Sequence, residues 1–160
     1  MDVLAIFFCF AITLHHIEEA IWLPKWSRQF SKFRRPVTSN EFFFAVIFIT
    51  ILAYLSAFSF LCRPTSDIAK WIFIGFLGSM IFNVIFPHFI AAILMRTYAP
   101  GLLTGLLLIL PVNSVIICQM LLKKFIIWQE LVISTLAVGI ILLALIPILF
   151  KIGGKITPTG

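Results

Sequence analysis

Charge is scarce in this chain. Charged side chains make up 11% of its 160 residues, against about a quarter in soluble domains. That is too little to cover a surface facing water, so a soluble enzyme or binding module is excluded. Regular alternation of polar and apolar residues is missing as well, which excludes the strands of an outer-membrane barrel. The three cysteines (Cys9, Cys62 and Cys118) lie in different apolar stretches and form no CxxC or other ligand spacing. They read as small buried residues, not as a thiolate site. A cleavable signal is not indicated either. The chain opens Met1-Asp2 in place of a basic region, and His-His-Ile-Glu-Glu stands where the apolar stretch of a signal should end. The first segment therefore reads as a retained helix.

What is there is apolar bulk, 62% of the chain, in continuous runs. The class that follows is all-α: an integral membrane helical bundle of about five transmembrane helices, with four as the alternative, forming one domain over residues 1–150 with a short polar tail over 151–160. The predicted spans are 3–23, closed by Pro24; 41–62, opened by the capping box Thr38-Ser39-Asn40-Glu41 and ended by Arg63-Pro64; 69–95; 101–122, closed by Lys123-Lys124; and 126–150. Gly75, Gly78 and Ser79 in the third span permit close helix contact, and its length predicts a tilt or a kink at Pro87. The stretch from Gly153 to Gly160 reads as loose, and the eighteen phenylalanines as mostly lipid-facing bulk.

Basic residues give an orientation. Lys25, Arg28, Lys32, Arg34 and Arg35 crowd the first loop, and with Arg96, Lys151 and Lys155 they put eight basic residues on one side of five spans. Arg63, Lys70, Lys123 and Lys124 leave four on the other. The positive-inside rule predicts a multi-pass cell-membrane protein with its N-terminus outside and its C-terminus in the cytoplasm. The net charge of +6 is then a topology signal and not a nucleic-acid footprint. The first loop, with Trp22 and Trp26 beside it, suits anionic headgroups.

Against this background His15, His16, Glu18 and Glu19 stand out. Twelve residues, Val3 to Leu14, precede them, about 18 Å of helix in a hydrocarbon core about 30 Å thick. Ionisable groups there cost about 2.5–3.5 kcal/mol each, which makes a functional site the default reading. His15, Glu18, Glu19 and Trp22 fall at i, i+3, i+4 and i+7, on one face that should turn to the bundle interior; His16 lies about 100° away and would take the inward place if the helix were rotated. The third span offers the counterpart, Asn83 and His88. Spans one and three run parallel. His15 lies nine residues before Pro24 and His88 eight before Arg96, so the two histidines share a depth within about 2 Å.

His15-His16-Ile17-Glu18-Glu19 resembles the motif of the HXXEE family of small integral membrane proteins, with His15 as the motif histidine. Asn83-x4-His88 and Arg96-x-Tyr98-x-Pro100-Gly101 are similar to that family's second polar block. The resemblance implies membrane residence and shared site residues over nearly the whole chain, and it implies no reaction.

Two imidazoles with one or two carboxylates match the ligand sets of zinc and of non-haem iron. His15 and Glu19, one turn apart, can grip an ion from a single helix face, and His88 can complete the set. The alternative is a metal-free acid/base site of His15, Glu18, Glu19 and His88 with Asn83 beside them. Either points to a small membrane enzyme acting on a lipid-like or isoprenoid-like substrate reached from the bilayer. The competing readings are an ion, proton or small-molecule transporter, and a structural subunit in which His–Glu pairs hold helices in register. Membrane lipid and a lipid-like small molecule are the expected partners, an oligomer is compatible with the composition, and nucleic acid is not expected. Several residues carry weaker expectations. Glu41 reads as a capping residue, and Asn113 as interhelical glue or a site-lining group. Gln129 and Glu130 enter from the wrong side. Arg96 either reaches headgroups or leans toward Glu18 and Glu19, and Tyr98 is an interface aromatic unless its turn folds inward.

Overall fold

A computed structural model describes residues 2–29 and 35–156; Lys32 and Arg34 of the basic first loop, and the last four residues of the tail, lie outside them. The described residues form five helices long and apolar enough to cross a membrane: α1 (Asp2–Arg28), α2 (Ser39–Cys62), α3 (Asp67–Met95), α4 (Leu102–Leu122) and α5 (Trp128–Ile156). No strand occurs among them. Large apolar side chains cover the outside, from Ile6 and Phe10 on α1 to Leu107 on α4 and Ile140 on α5, as a bundle solvated by lipid requires.

The helix starts follow from local chemistry. Thr38 accepts from the Glu41 amide while the Glu41 carboxylate accepts from the Thr38 amide, so the capping box forms as the sequence predicts. Ser66 caps α3 in the simpler way. Two expected ends move outward. Pro24 sits inside α1, which runs on to Arg28, and the Ser27 hydroxyl donates to the Pro24 carbonyl. Helix α5 continues through Ile156, so the start of the expected loose tail is helical. Its Gly153 packs against the first turn of α2, where an added Cβ would stand 2.8 Å from Phe44 Cβ.

Helix α5 packs on α2 and α3, and α1 on α2 and α4. Gly75 brings α3 against α5: a Cβ there would lie 2.7 Å from the Ser134 carbonyl oxygen. The core between α1, α2 and α3 is aromatic. Phe60 stacks on Phe73 at 5.0 Å, and Phe8 meets Phe73 edge-on at 5.5 Å. Phe42 and Phe76 are buried too, so the phenylalanines serve the core as well as the lipid face. The cysteines correct the sequence reading more plainly: Cys62 and Cys118 are exposed and Cys9 is half-buried. Lipid is as apolar as the core, so nothing drives a thiol inward.

Two spans depart from α-helical geometry near the expected depth of the site. In α3 a π-type turn over Val84–Phe89 contains Pro87 and an extended Phe86, which is the predicted kink; the ring lacks an amide donor and displaces the preceding turn. In α4 a π-type turn spans Gly105–Ile109 just before Pro111. The two irregular segments touch, and a Cβ on Gly105 would stand 2.8 Å from a Val84 methyl. Asn113 is the expected glue: fully buried, it donates to the Leu77 carbonyl of α3 at 3.0 Å.

Candidate metal centre

Helix α1 presents His15 and Glu19 one turn apart, and the break in α3 aims His88 back at them. His88 Nε2 lies 2.8 Å from Glu19 Oε1, and His15 Nε2 lies 3.7 Å from the same oxygen. The His15 and His88 rings stand edge-to-face with centroids 5.5 Å apart. All three residues are buried, and one ligand atom from each falls within 4.8 Å of the others. Two ligands of one tetrahedral zinc at about 2.1 Å stand about 3.4 Å apart, so modest side-chain shifts bring this set to coordination distance. Asn83 Nδ2 is 3.2 Å from His88 Nε2 and completes the rim.

Glu18, the other acid of the motif, turns away from the three. Its carboxylate reaches the connection between α3 and α4, accepting from the Tyr98 hydroxyl, from the amides of Gly101 (2.7 Å) and Thr104 (2.9 Å), and from the Thr104 hydroxyl (2.6 Å). Gly101 occupies the N-cap position of α4 and has no side chain to cap it, so Glu18 supplies the cap from another helix. The phenol of Tyr98 is pushed up to about 12, by its partial burial and then by the Glu18 carboxylate it faces, which keeps it a donor at physiological pH. Tyr98 thus reaches Glu18 through its hydroxyl while its side chain stays about half exposed, and Arg96 is exposed as well.

Thr104 joins the two halves of the motif. Its hydroxyl has one proton, which goes to Glu18, so at 3.1 Å from His15 Nδ1 its oxygen accepts. His15 therefore carries a proton on Nδ1, and its Nε2 lone pair points at Glu19 and His88. That Nε2 is buried without a hydrogen-bond partner among the described residues. A carboxylate–hydroxyl–imidazole chain ending in a vacant nitrogen is the usual support of a metal-ligating histidine. Gly101 closes the site from below. Its φ of +89° is one that glycine adopts freely, and a Cβ would lie 2.9 Å from Glu19 Cγ and His88 Cε1 and 3.0 Å from His15 Cε1.

The sequence expectation is that His15, Glu18, Glu19 and His88 converge with Asn83 beside them; the structure brings His15, Glu19, His88 and Asn83 together, whereas Glu18 stands outside the cluster and reaches His15 only through Thr104. His16 turns the other way, its Nδ1 2.7 Å from the Thr50 hydroxyl of α2. Trp22, expected on the inward face, is exposed. Gln129 is exposed at the other end of the bundle, where Glu130 pairs with Lys70. Sequence reasoning missed Thr104, and it gave Gly101 only as part of the second polar block, with no role. The available signal was a Pro-Gly turn followed at once by a helix whose N-cap has no side chain.

Residues 6–116 match the family described as "Protein of unknown function with HXXEE motif". The chain belongs to the HXXEE family. The match takes in His15, Glu18, Glu19, Asn83, His88, Tyr98, Gly101 and Thr104, every residue of the centre and its supports. The chain is also similar to "Uncharacterized protein YrkK" of Bacillus subtilis (strain 168), 74% identical over 152 residues that cover 95% of this chain and 96% of the relative. No solved structure matches it.

Proposed function

We propose that this HXXEE protein is a small metal-dependent membrane enzyme whose His15, Glu19 and His88 hold one divalent ion, zinc or iron, and act on a lipid-like or isoprenoid-like substrate. The observation that carries the reading is the buried, unpartnered Nε2 of His15, oriented through Thr104 and Glu18 toward two further ligand atoms. Two imidazoles and a carboxylate leave coordination positions open for substrate, as in catalytic zinc and non-haem iron sites. The ion would polarise a substrate oxygen or activate a bound water. Glu18 and Asn83 are positioning residues in this reading, Glu18 through Thr104 and Asn83 through His88.

Substrate class follows from access. His15 is fully buried, whereas Glu19 and His88 keep 8% and 5% exposure, so approach is from their side, within an apolar bundle. A transport path needs polar groups at successive depths, and the interior beyond the cluster is filled by Phe8, Ile12, Phe73, Ile74 and Leu77, all with no exposure. That plug favours an enzyme over a channel. The basic residues favour an N-terminus outside and a C-terminus in the cytoplasm, with the site in the cytoplasmic half of the cell membrane.

The test is elemental analysis of the purified protein beside its His15→Ala and His88→Ala variants, followed by incubation of the metal-loaded protein with vesicles of total bacterial lipid and mass spectrometry of the products. The expected result is one zinc or iron per chain, absent from both variants, and a lipid species consumed only by the wild type. Equal metal in all three proteins, or none in the wild type, would overturn the metal assignment; full metal with no lipid consumed would overturn the enzyme reading alone.

A further inference from the structure

Behind the metal centre, on the opposite side of α1, a groove of about 370 Å³ opens between α1 and α2, within the size range of small-molecule sites. Its walls are apolar, Phe43 and Ile47 among them, and no lining residue is acidic or basic apart from His16. Four polar side chains run along it: Thr13, His16, Thr50 and Tyr54.

The protons of these four can be placed. Thr50 donates to the Val46 carbonyl at 2.7 Å, so its oxygen accepts from His16 Nδ1, also at 2.7 Å. Thr13 donates to the Cys9 carbonyl at 2.8 Å, so the contact of 2.6 Å with Tyr54 is donated by the tyrosine. Every donor is thereby committed inward. What remains is an acceptor. His16 is only 5% exposed, and its Nε2, carrying the lone pair of the neutral ring, has no hydrogen-bond partner among the described residues.

From this we infer a second binding site: the α1–α2 groove takes a lipophilic alcohol, its hydroxyl donating to His16 Nε2 and its hydrocarbon body lying along Phe43 and Ile47. The hydroxyl proton of the ligand, which can pair with His16 Nε2, is the selective element. A carboxylate, phosphate, ether or ketone brings acceptors to a groove with no free donor and leaves His16 Nε2 unpaired, which costs affinity. The site is independent of the metal centre, although the two share successive residues of α1, with the His15 and His16 ring centroids 5.8 Å apart.

The test is photo-crosslinking of the purified full-length protein in detergent with a diazirine-bearing hexadecanol, competed by hexadecanol, hexadecane or methyl hexadecyl ether. Labelling is expected on peptides of α1 and α2. Hexadecanol should compete about tenfold better than the ether, the difference one hydrogen bond makes, and His16→Phe should remove that preference. Ile47→Trp, which fills the groove without touching the imidazole, should abolish labelling while metal content stays unchanged. Equal competition by alcohol and ether, an undiminished preference in His16→Phe, or full labelling in Ile47→Trp would each overturn the proposal. If His16→Phe fails to fold, the ether comparison and Ile47→Trp decide it.

Discussion

The two ends of α3 both carry a base facing carboxylates, and they are finished differently. Near its start, Lys70 lies 3.0 Å from Asp67 and 3.4 Å from Glu130, and Glu130 also accepts from the Trp71 indole (3.4 Å) and the Ile127 amide (3.0 Å). The one cation is shared by two carboxylates, each partner is used, and Asp67 is largely exposed. Near its end, His88 meets Glu19 in a buried setting, His15 Nε2 has no partner among the described residues, and Gly101 lacks the Cβ that would fill the space. Pairs that only hold helices together mostly saturate their donors and acceptors, although the glue residue Asn113 also leaves its buried Oδ1 without a partner among the described residues. What sets the second end apart is that its free lone pair lies among two further ligand atoms.

The sharpest way to break this comparison is to fill the gap. Gly101→Ala should lose bound metal altogether, because its Cβ enters the space among His15, Glu19 and His88, and the left-handed backbone adds about 1–2 kcal/mol of instability. Gly139→Ala is the control: the nearest atom to its Cβ is Ser79 Oγ at 3.4 Å, so metal content and thermal midpoint should stay close to the wild type. Metal retained in Gly101→Ala would show that the cradle is incidental.

Thr104→Val keeps the shape and removes the hydroxyl that fixes the His15 tautomer. Metal affinity should fall by about 10–100-fold, as for lost supporting contacts elsewhere, and Thr104→Ser should restore most of it. Competitive titration against a chelator of known affinity measures both, and equal values for Val and Ser would contradict the chain from Glu18 through Thr104.

Protons should compete with the ion. Imidazole and carboxylate ligands bind an ion only through free lone pairs, so the affinity of the His15, Glu19 and His88 set should rise as pH increases, with proton release on binding. Calorimetry in two buffers of different ionisation enthalpy detects that proton. The smallest effect is expected at the other end of α3. Glu130→Gln should cost under about 1 kcal/mol, the range of partly exposed ion pairs, and leave metal content untouched.

The meeting of His15 and His88 was legible because helix rise turns sequence position into depth, and because isolated ionisable groups in lipid have to find each other. Which of His15 and His16 faces inward was not legible, since a rotation of about 100° exchanges them and both prove to be buried against a threonine. The role of Thr104 was hidden for a similar reason. A single hydroxyl in an apolar span looks like any other until the Glu18 carboxylate arrives from another helix. The five spans were plain from their runs, but their ends were not. Pro24 fits within α1, and the stretch from Gly153 reads as loose although the lack of side chains at glycines 153 and 154 is what lets α5 pack on α2. The exposed cysteines show the limit of reading burial from polarity when the solvent is itself apolar.

Cobalt(II) titration followed by visible absorption tests the central claim most directly, because a low-coordinate His/His/Glu site gives the ion much stronger ligand-field bands than the octahedral aqua ion has. The account predicts absorption saturating at one cobalt per chain, displaced by zinc, and absent from His15→Ala and His88→Ala variants whose helical circular dichroism matches the wild type. Absorption that never saturates, or that persists unchanged in both variants, would contradict it.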